Sequence, residues 1–209
     1  MKSICRHVLG IILAVATSGA TARAQEDGRE VLRQSLDAMR QAPAYRATVV
    51  DAGGSSAELS MEVVNPNLLH LRTGMGTEIY ADGKTILSRE GASGSFTPAR
   101  GNVAATVALA RQMATPDALL AMATGVRPAG RGTAGGQPAS LYDVDALVFG
   151  MRVKARVWVA DADRRPLRVE GEVDGEAKLG GSRPGRRIHR SSVVTYEYDP
   201  SIKVIMPAN

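Results

Sequence analysis

Residues 151–173 read MRVKARVWVADADRRPLRVEGEV, and their alternation decides the fold. Met151, Val153, Ala155, Val157 and Val159 point one way, and Arg152, Lys154, Arg156 and Trp158 the other. A period of two is that of a strand with one buried face. Asp161-Ala162-Asp163-Arg164 breaks the pattern as a turn, after which Leu167, Val169 and Val173 alternate with Arg168, Glu170 and Glu172. Cations on the first strand can then face carboxylates on the second. One side of this hairpin is apolar and the other charged and wet, as in an antiparallel sheet covered on one face.

Working outward, the same period recurs. Ser191 to Tyr198 reads as a final strand, followed by Asp199-Pro200 and an apolar tail from Ile202 to Pro207. Toward the N-terminus lie a strand at Tyr45–Val50, a strand in which Leu59, Met61 and Val63 alternate with Glu58, Ser60 and Glu62, and strands at Leu68–Arg72, Thr77–Tyr80 and Lys84–Ser88. Gly53-Gly54-Ser55, Asn65-Pro66-Asn67 and Asp82-Gly83 supply the turns. Arg29 to Gln41 reads as a helix with Val31, Leu32, Ser35, Leu36 and Met39 on one stripe, stopped by Pro43. Asn102–Ala114 and Pro116–Ala123 read as two short helices, with Thr115 as N-cap and Gly125 closing the second. A Gly-rich strip, Gly130 to Gly136, then leads into the second half. The expected class is α+β: a single curved antiparallel sheet, with one N-terminal helix and two middle helices available for its apolar face.

The first 24 residues read as a secretory signal peptide. Lys2 and Arg6 precede the apolar run Val8–Ala16, which is shorter than the roughly 20 residues a bilayer span needs. Ala22-Arg23-Ala24 has the form cut by signal peptidase, so the expected cut falls after Ala24 and the working domain is 25–209 in the periplasm. Cys5 is the only cysteine, so that domain holds no thiol and stands on packing and hydrogen bonds alone. Roughly 185 residues suffice for one core. The net charge of +5 loses Lys2, Arg6 and Arg23 and falls to +2, which gives no motive for binding nucleic acid. Arg183, Arg186, Arg187 and Arg190 crowd one Gly/Pro-rich segment, as a solvated loop does.

No catalytic set emerges. Gly130-Arg131-Gly132-Thr133-Ala134-Gly135 fits the letters of a dinucleotide fingerprint, but a strand follows it where a helix is needed, so it reads as a turn. Gly91–Ser95 lacks the form of a nucleophile elbow. His70 and His189 have no partner at a spacing that suggests a triad or a metal. Asp143 with Asp145, and Asp161 with Asp163, lack the remaining ligands of a calcium loop. The expectation is a binder with no catalytic residue, cofactor or metal.

The order of elements resembles the superfamily of the periplasmic carrier LolA, with LolB and LppX-like lipid carriers. The resemblance rests on the opening helix ending near Pro43, on Gly76-Thr77-Glu78-Ile79-Tyr80-Ala81-Asp82-Gly83-Lys84, and on Gly135-Gly136-Gln137-Pro138-Ala139-Ser140-Leu141-Tyr142. Val157-Trp158-Val159 with Arg165-Pro166-Leu167-Arg168, and the ending Tyr196-Glu197-Tyr198-Asp199, complete it. It implies an eleven-stranded half-barrel whose concave apolar face lies under lid helices, with acyl chains between sheet and lid. At about 0.8 kcal/mol per buried CH₂, one long chain is worth about 10 kcal/mol in a perfect pocket. Methionine suits an adaptable lining, so the expected cavity residues are Leu59, Met61, Met75, Val107, Leu109, Met113, Leu119, Leu120, Met122 and Met151. The carriers tie down the lid with an arginine in an early strand, a role that falls by position to Arg46. The implied partner is lipid or an acylated protein. The alternative is an envelope protein-interaction or stress-regulator module that carries no lipid, since one such regulator shares the fold.

Overall fold

The computed structural model describes residues 18–53, 57–99, 116–148, 150–177 and 186–207. A helix, α1 (Ser18–Gln41), opens the described chain. Six strands follow: β1 (Ala44–Asp51), β2 (Ala57–Val64), β3 (Leu68–Thr73), β4 (Thr77–Ala81), β5 (Ile86–Glu90) and the two-residue β6 (Thr97–Pro98). A single helical turn, α2 (Asp117–Ala121), precedes the second set: β7 (Ala123–Ala134), β8 (Gln137–Val148), β9 (Met151–Ala160), β10 (Pro166–Ala177) and β11 (Arg186–Glu197). All the strands lie in one antiparallel sheet of order β6-β5-β4-β3-β2-β1-β11-β10-β9-β8-β7. Each half is a meander, and the two meet where the first strand pairs with the last, Val49 opposite Val194 and Ala47 opposite Tyr196. The connection between β6 and β7 therefore links opposite edges of an open sheet. It carries α2, which lies on the same face as α1.

The period of two sorts the side chains. Tyr45, Ala47, Val49, Met61, Val63, Leu69, Leu71, Ile79, Val126, Val144, Val157, Val169, Val194 and Tyr196 form one buried cluster with Leu32 and Met39 of α1. Glycine lets the helix approach: a Cβ on Gly28 would stand 3.2 Å from the side chain of Val126. The amide of Asn65 caps the end of α1, donating to the carbonyls of Arg40 at 3.1 Å and Ala42 at 2.6 Å. The opposite face is a charge ladder. Register sets Arg156 between Asp143 and Glu170, and Lys154 between Asp145 and Glu172. Arg156 forks onto Asp143 at 2.7 and 3.1 Å.

Several expectations change. The helix starts at Ser18 rather than Arg29. The second middle helix is confined to Asp117–Ala121, and Gly125 does not close it but stands at a bulge in β7. The Gly-rich strip, read as a turn, is a turn only at its end. Gly130 and Gly132 belong to β7, and Gly135 and Gly136, at φ +56° and +76°, form the two-residue turn into β8. An edge strand tolerates Pro128 and irregular pairing, which hid β7 from a reading based on alternation. The last strand begins at Arg186, ahead of Ser191. The expected helix over 102–114 lies outside the described residues.

Candidate functional site

Where α1 crosses the sheet, Leu32, Ser35 and Leu36 face Pro116, Leu119 and Leu120 of the α2 segment and Val157 of β9. The space these residues enclose is about 10 Å³, whereas ligand sites run to about 300–1,000 Å³. Five residues cannot hold a helix in water by themselves. α2 stays in place because Leu119 and Leu120 pack against the main core, and because Arg40 of α1 pairs with Asp117. One turn further out, Arg29 Nη2 donates to the carbonyl of Ala123 at 2.5 Å. Leu120 also borders an open recess on the outer side, walled by Arg29, Glu30, Arg33 and Ala121.

The structure brings part of the expected lining together. Met61 is wholly buried, Leu59 is half-buried against the same cluster, and Leu119 and Leu120 cover it from α2. Met151 is half-buried at the start of β9, packed over Gly175, where a Cβ would come within 2.9 Å of its Cγ. Met75 does not join them: it stands 92% exposed in the turn between β3 and β4. Met122 is also exposed, at the entry to β7. Val107, Leu109 and Met113 lie outside the described residues. Leu32, Leu36 and Val157 line the space and were missing from the expected set, although the helical stripe and the β9 alternation contain them.

Arg46 is corrected more sharply. Its neighbours Tyr45 and Ala47 point into the core, so Arg46 points to the opposite face, away from α1 and α2. There Nη2 and Nε donate to Glu62 Oε1 at 2.7 and 3.1 Å, and Nη1 donates to Glu197 at 2.8 Å. This pair continues into a network that sequence reading missed. His70, 5% exposed, holds Glu62 Oε2 at 3.1 Å from Nδ1 and Glu78 Oε1 at 2.7 Å from Nε2. Carboxylates only accept, so both contacts are hydrogen bonds when both ring nitrogens carry protons. Arg72 and Arg89 complete the shell of Glu78, at 3.2 and 2.7 Å. Burial works against ionisation of Glu78, but the bonds from His70, Arg89 and Arg72 prevail and bring its pKa down to about 2. Glu62 is lowered in the same way, burial being outweighed by Arg46 and His70. Tyr80 stacks on His70 at 4.1 Å, and Phe96 closes edge-on over Tyr80 at 5.3 Å. With both nitrogens engaged, His70 ties the two carboxylates together. His189 is exposed, 3.6 Å from Glu172.

Two tyrosines of the apolar face, Tyr196 and Tyr198, stay neutral. Burial pushes the Tyr196 and Tyr198 hydroxyls up, and that of Tyr198 donates to the carbonyl of Pro166 at 2.9 Å. Among the described residues, no helix is long and apolar enough to cross a membrane.

No protein-family model and no curated protein sequence matches the chain. Solved structures do. LprF from Mycobacterium bovis superposes with a TM-score of 0.57 at 12% identity, over 88% of this chain and 98% of that one. The Mycobacterium tuberculosis lipoprotein LppX gives 0.57 at 14% identity over the same shares. MucB is a more distant match, at 0.41 and 16% identity over 83% of this chain and 59% of its own. The fold is shared with LprF and LppX, consistent with the resemblance read from the sequence.

Proposed function

We propose that the chain is a periplasmic carrier or binder of lipid or lipidated protein, taking an acyl chain between the sheet and its helices. The observation that carries this reading is the cover itself. A five-residue turn, α2, rests beside α1 on the apolar side of the sheet, in a fold shared with a lipoprotein, where Leu119 and Leu120 pack against the core and Asp117 pairs with Arg40. Lifting α2 uncovers Leu119 and Leu120 together with part of Leu32, Leu36 and Val157 beneath them, which costs several kcal/mol at about 1.5–3 kcal/mol per fully exposed side chain. An acyl chain returns about 10 kcal/mol at best. The cost of opening is subtracted from that return, which keeps binding reversible. The enclosed 10 Å³ is then the closed, empty form.

The decisive experiment is to purify residues 25–209 from the native host, extract with organic solvent and analyse by mass spectrometry. Bound lipid in the extract, and saturable uptake of a fluorescent fatty acid by the stripped protein, are expected. A clean extract together with no uptake ends the carrier reading.

A further inference from the structure

The small space beneath α2 has one polar wall. Ser35, 2% exposed, sits on the inward stripe of α1 between Leu32 and Leu36, and among the described residues its Oγ has no hydrogen-bond partner. The remaining walls are Pro116, Leu119, Leu120 and Val157. The carbonyl of Pro116 already accepts from Leu120 N at 2.9 Å. A buried water typically makes about three hydrogen bonds, and among the described residues the walls of this space offer one unpaired hydroxyl, a poor site for water. Alanine would suit a dry slot better, because an unpaired buried hydroxyl is destabilising. The hydroxyl is therefore mismatched to the closed state.

An acyl chain presents one acceptor where it ends, the carbonyl oxygen of its ester or carboxyl group. Leu120 separates the slot from the recess beside Arg29 and Arg33, so a guest entering under α2 can leave its head group there. We propose that Ser35 is a specificity-determining residue that donates a hydrogen bond to the carbonyl of an ester-linked acyl lipid. This rests on the carrier reading and adds to it the chemical feature that the carrier recognises.

The test compares two neutral probes of equal chain length, monopalmitoylglycerol and 1-O-hexadecylglycerol, which differ in the carbonyl. Each is titrated against fluorescent fatty acid bound to delipidated residues 25–209. The wild type is expected to prefer the ester by about fivefold, the value of one modest hydrogen bond. Ser35→Ala is expected to abolish that preference, leave the affinity for the ether unchanged, and raise the melting temperature of the empty protein by about 3 °C. Equal affinity of the wild type for the two probes, or an ester preference that survives Ser35→Ala, overturns the assignment while leaving the carrier standing. A lower melting temperature for empty Ser35→Ala overturns it as well, because the hydroxyl would then be paired without a guest. Failure of the wild type to take up the fluorescent acid at all removes the carrier reading and this one together.

Discussion

His70 and Leu71 are neighbours in the chain, yet one lies among carboxylates and the other in the apolar core. Alternation made their opposite orientations legible. It could not show that Glu62 and Glu78 lie on either side of His70, because that pairing depends on the register of three strands. Removing the ring takes one donor from each carboxylate while Arg46, Arg72 and Arg89 keep theirs, so His70→Ala should cost about 2 kcal/mol in urea unfolding. A loss below about 1 kcal/mol would show that the network is slack. The same contacts fix a pH dependence. Glu62 and Glu78 have folded pKa values below the ordinary 4.5, that of Glu78 near 2. Their stabilisation is complete above about pH 4.5 and is lost as pH falls from there toward 2, with about 3 kcal/mol from Glu78 alone. Glu78→Gln should lower stability at pH 7 and flatten this acid limb. A wild type equally stable at pH 5 and pH 3 would contradict the assignment.

At the scale of elements, β9 and β10 were plain in the sequence because each keeps strict alternation and balanced charges across the pair. β7 was not, for physical reasons that the structure makes visible. It is an edge strand with Pro128, three glycines among its first ten residues, two more in the turn that follows, and pairing that shifts at two places. Its local composition argues for a loop, and only its long pairing with β8 makes it a strand. The turn that starts this pairing needs two residues at positive φ. Gly136→Val, at φ +76°, should therefore cost about 1–2 kcal/mol in thermal unfolding, since a β-branched side chain is strained there. A neutral substitution would mean that the hairpin takes its register from the strands and not from the turn. The candidate site divides along the same line. The α1 stripe and the alternation of β9 show in the sequence, but the meeting of Leu32 and Val157 under Leu120 requires the helix placed on the sheet.

At the scale of the whole molecule, the first strand pairs with the last and the connection from β6 to β7 joins the two outer edges. Neither half can shed its cover without affecting the other, because α2 belongs to that connection and rests on α1. Opening should therefore be a motion of α2 relative to α1, with the sheet fixed. The Arg40–Asp117 pair marks where the two can be tied. Both side chains are partly exposed, so the pair itself adds no more than about 1 kcal/mol, and Asp117→Asn should leave the melting temperature nearly unchanged while speeding lipid entry. A covalent tie should do the reverse. With Cys5 the only cysteine and confined to the expected signal peptide, Arg40→Cys with Asp117→Cys in residues 25–209 leaves two thiols in an otherwise thiol-free domain. Joining them with a short bis-maleimide should abolish uptake of fluorescent fatty acid, whereas blocking each thiol with a monofunctional maleimide should not. Loading before cross-linking should trap the guest and raise the melting temperature. If the tied protein still loads at the untied rate, α2 is not the gate, and the acyl chain must enter from another side of the sheet.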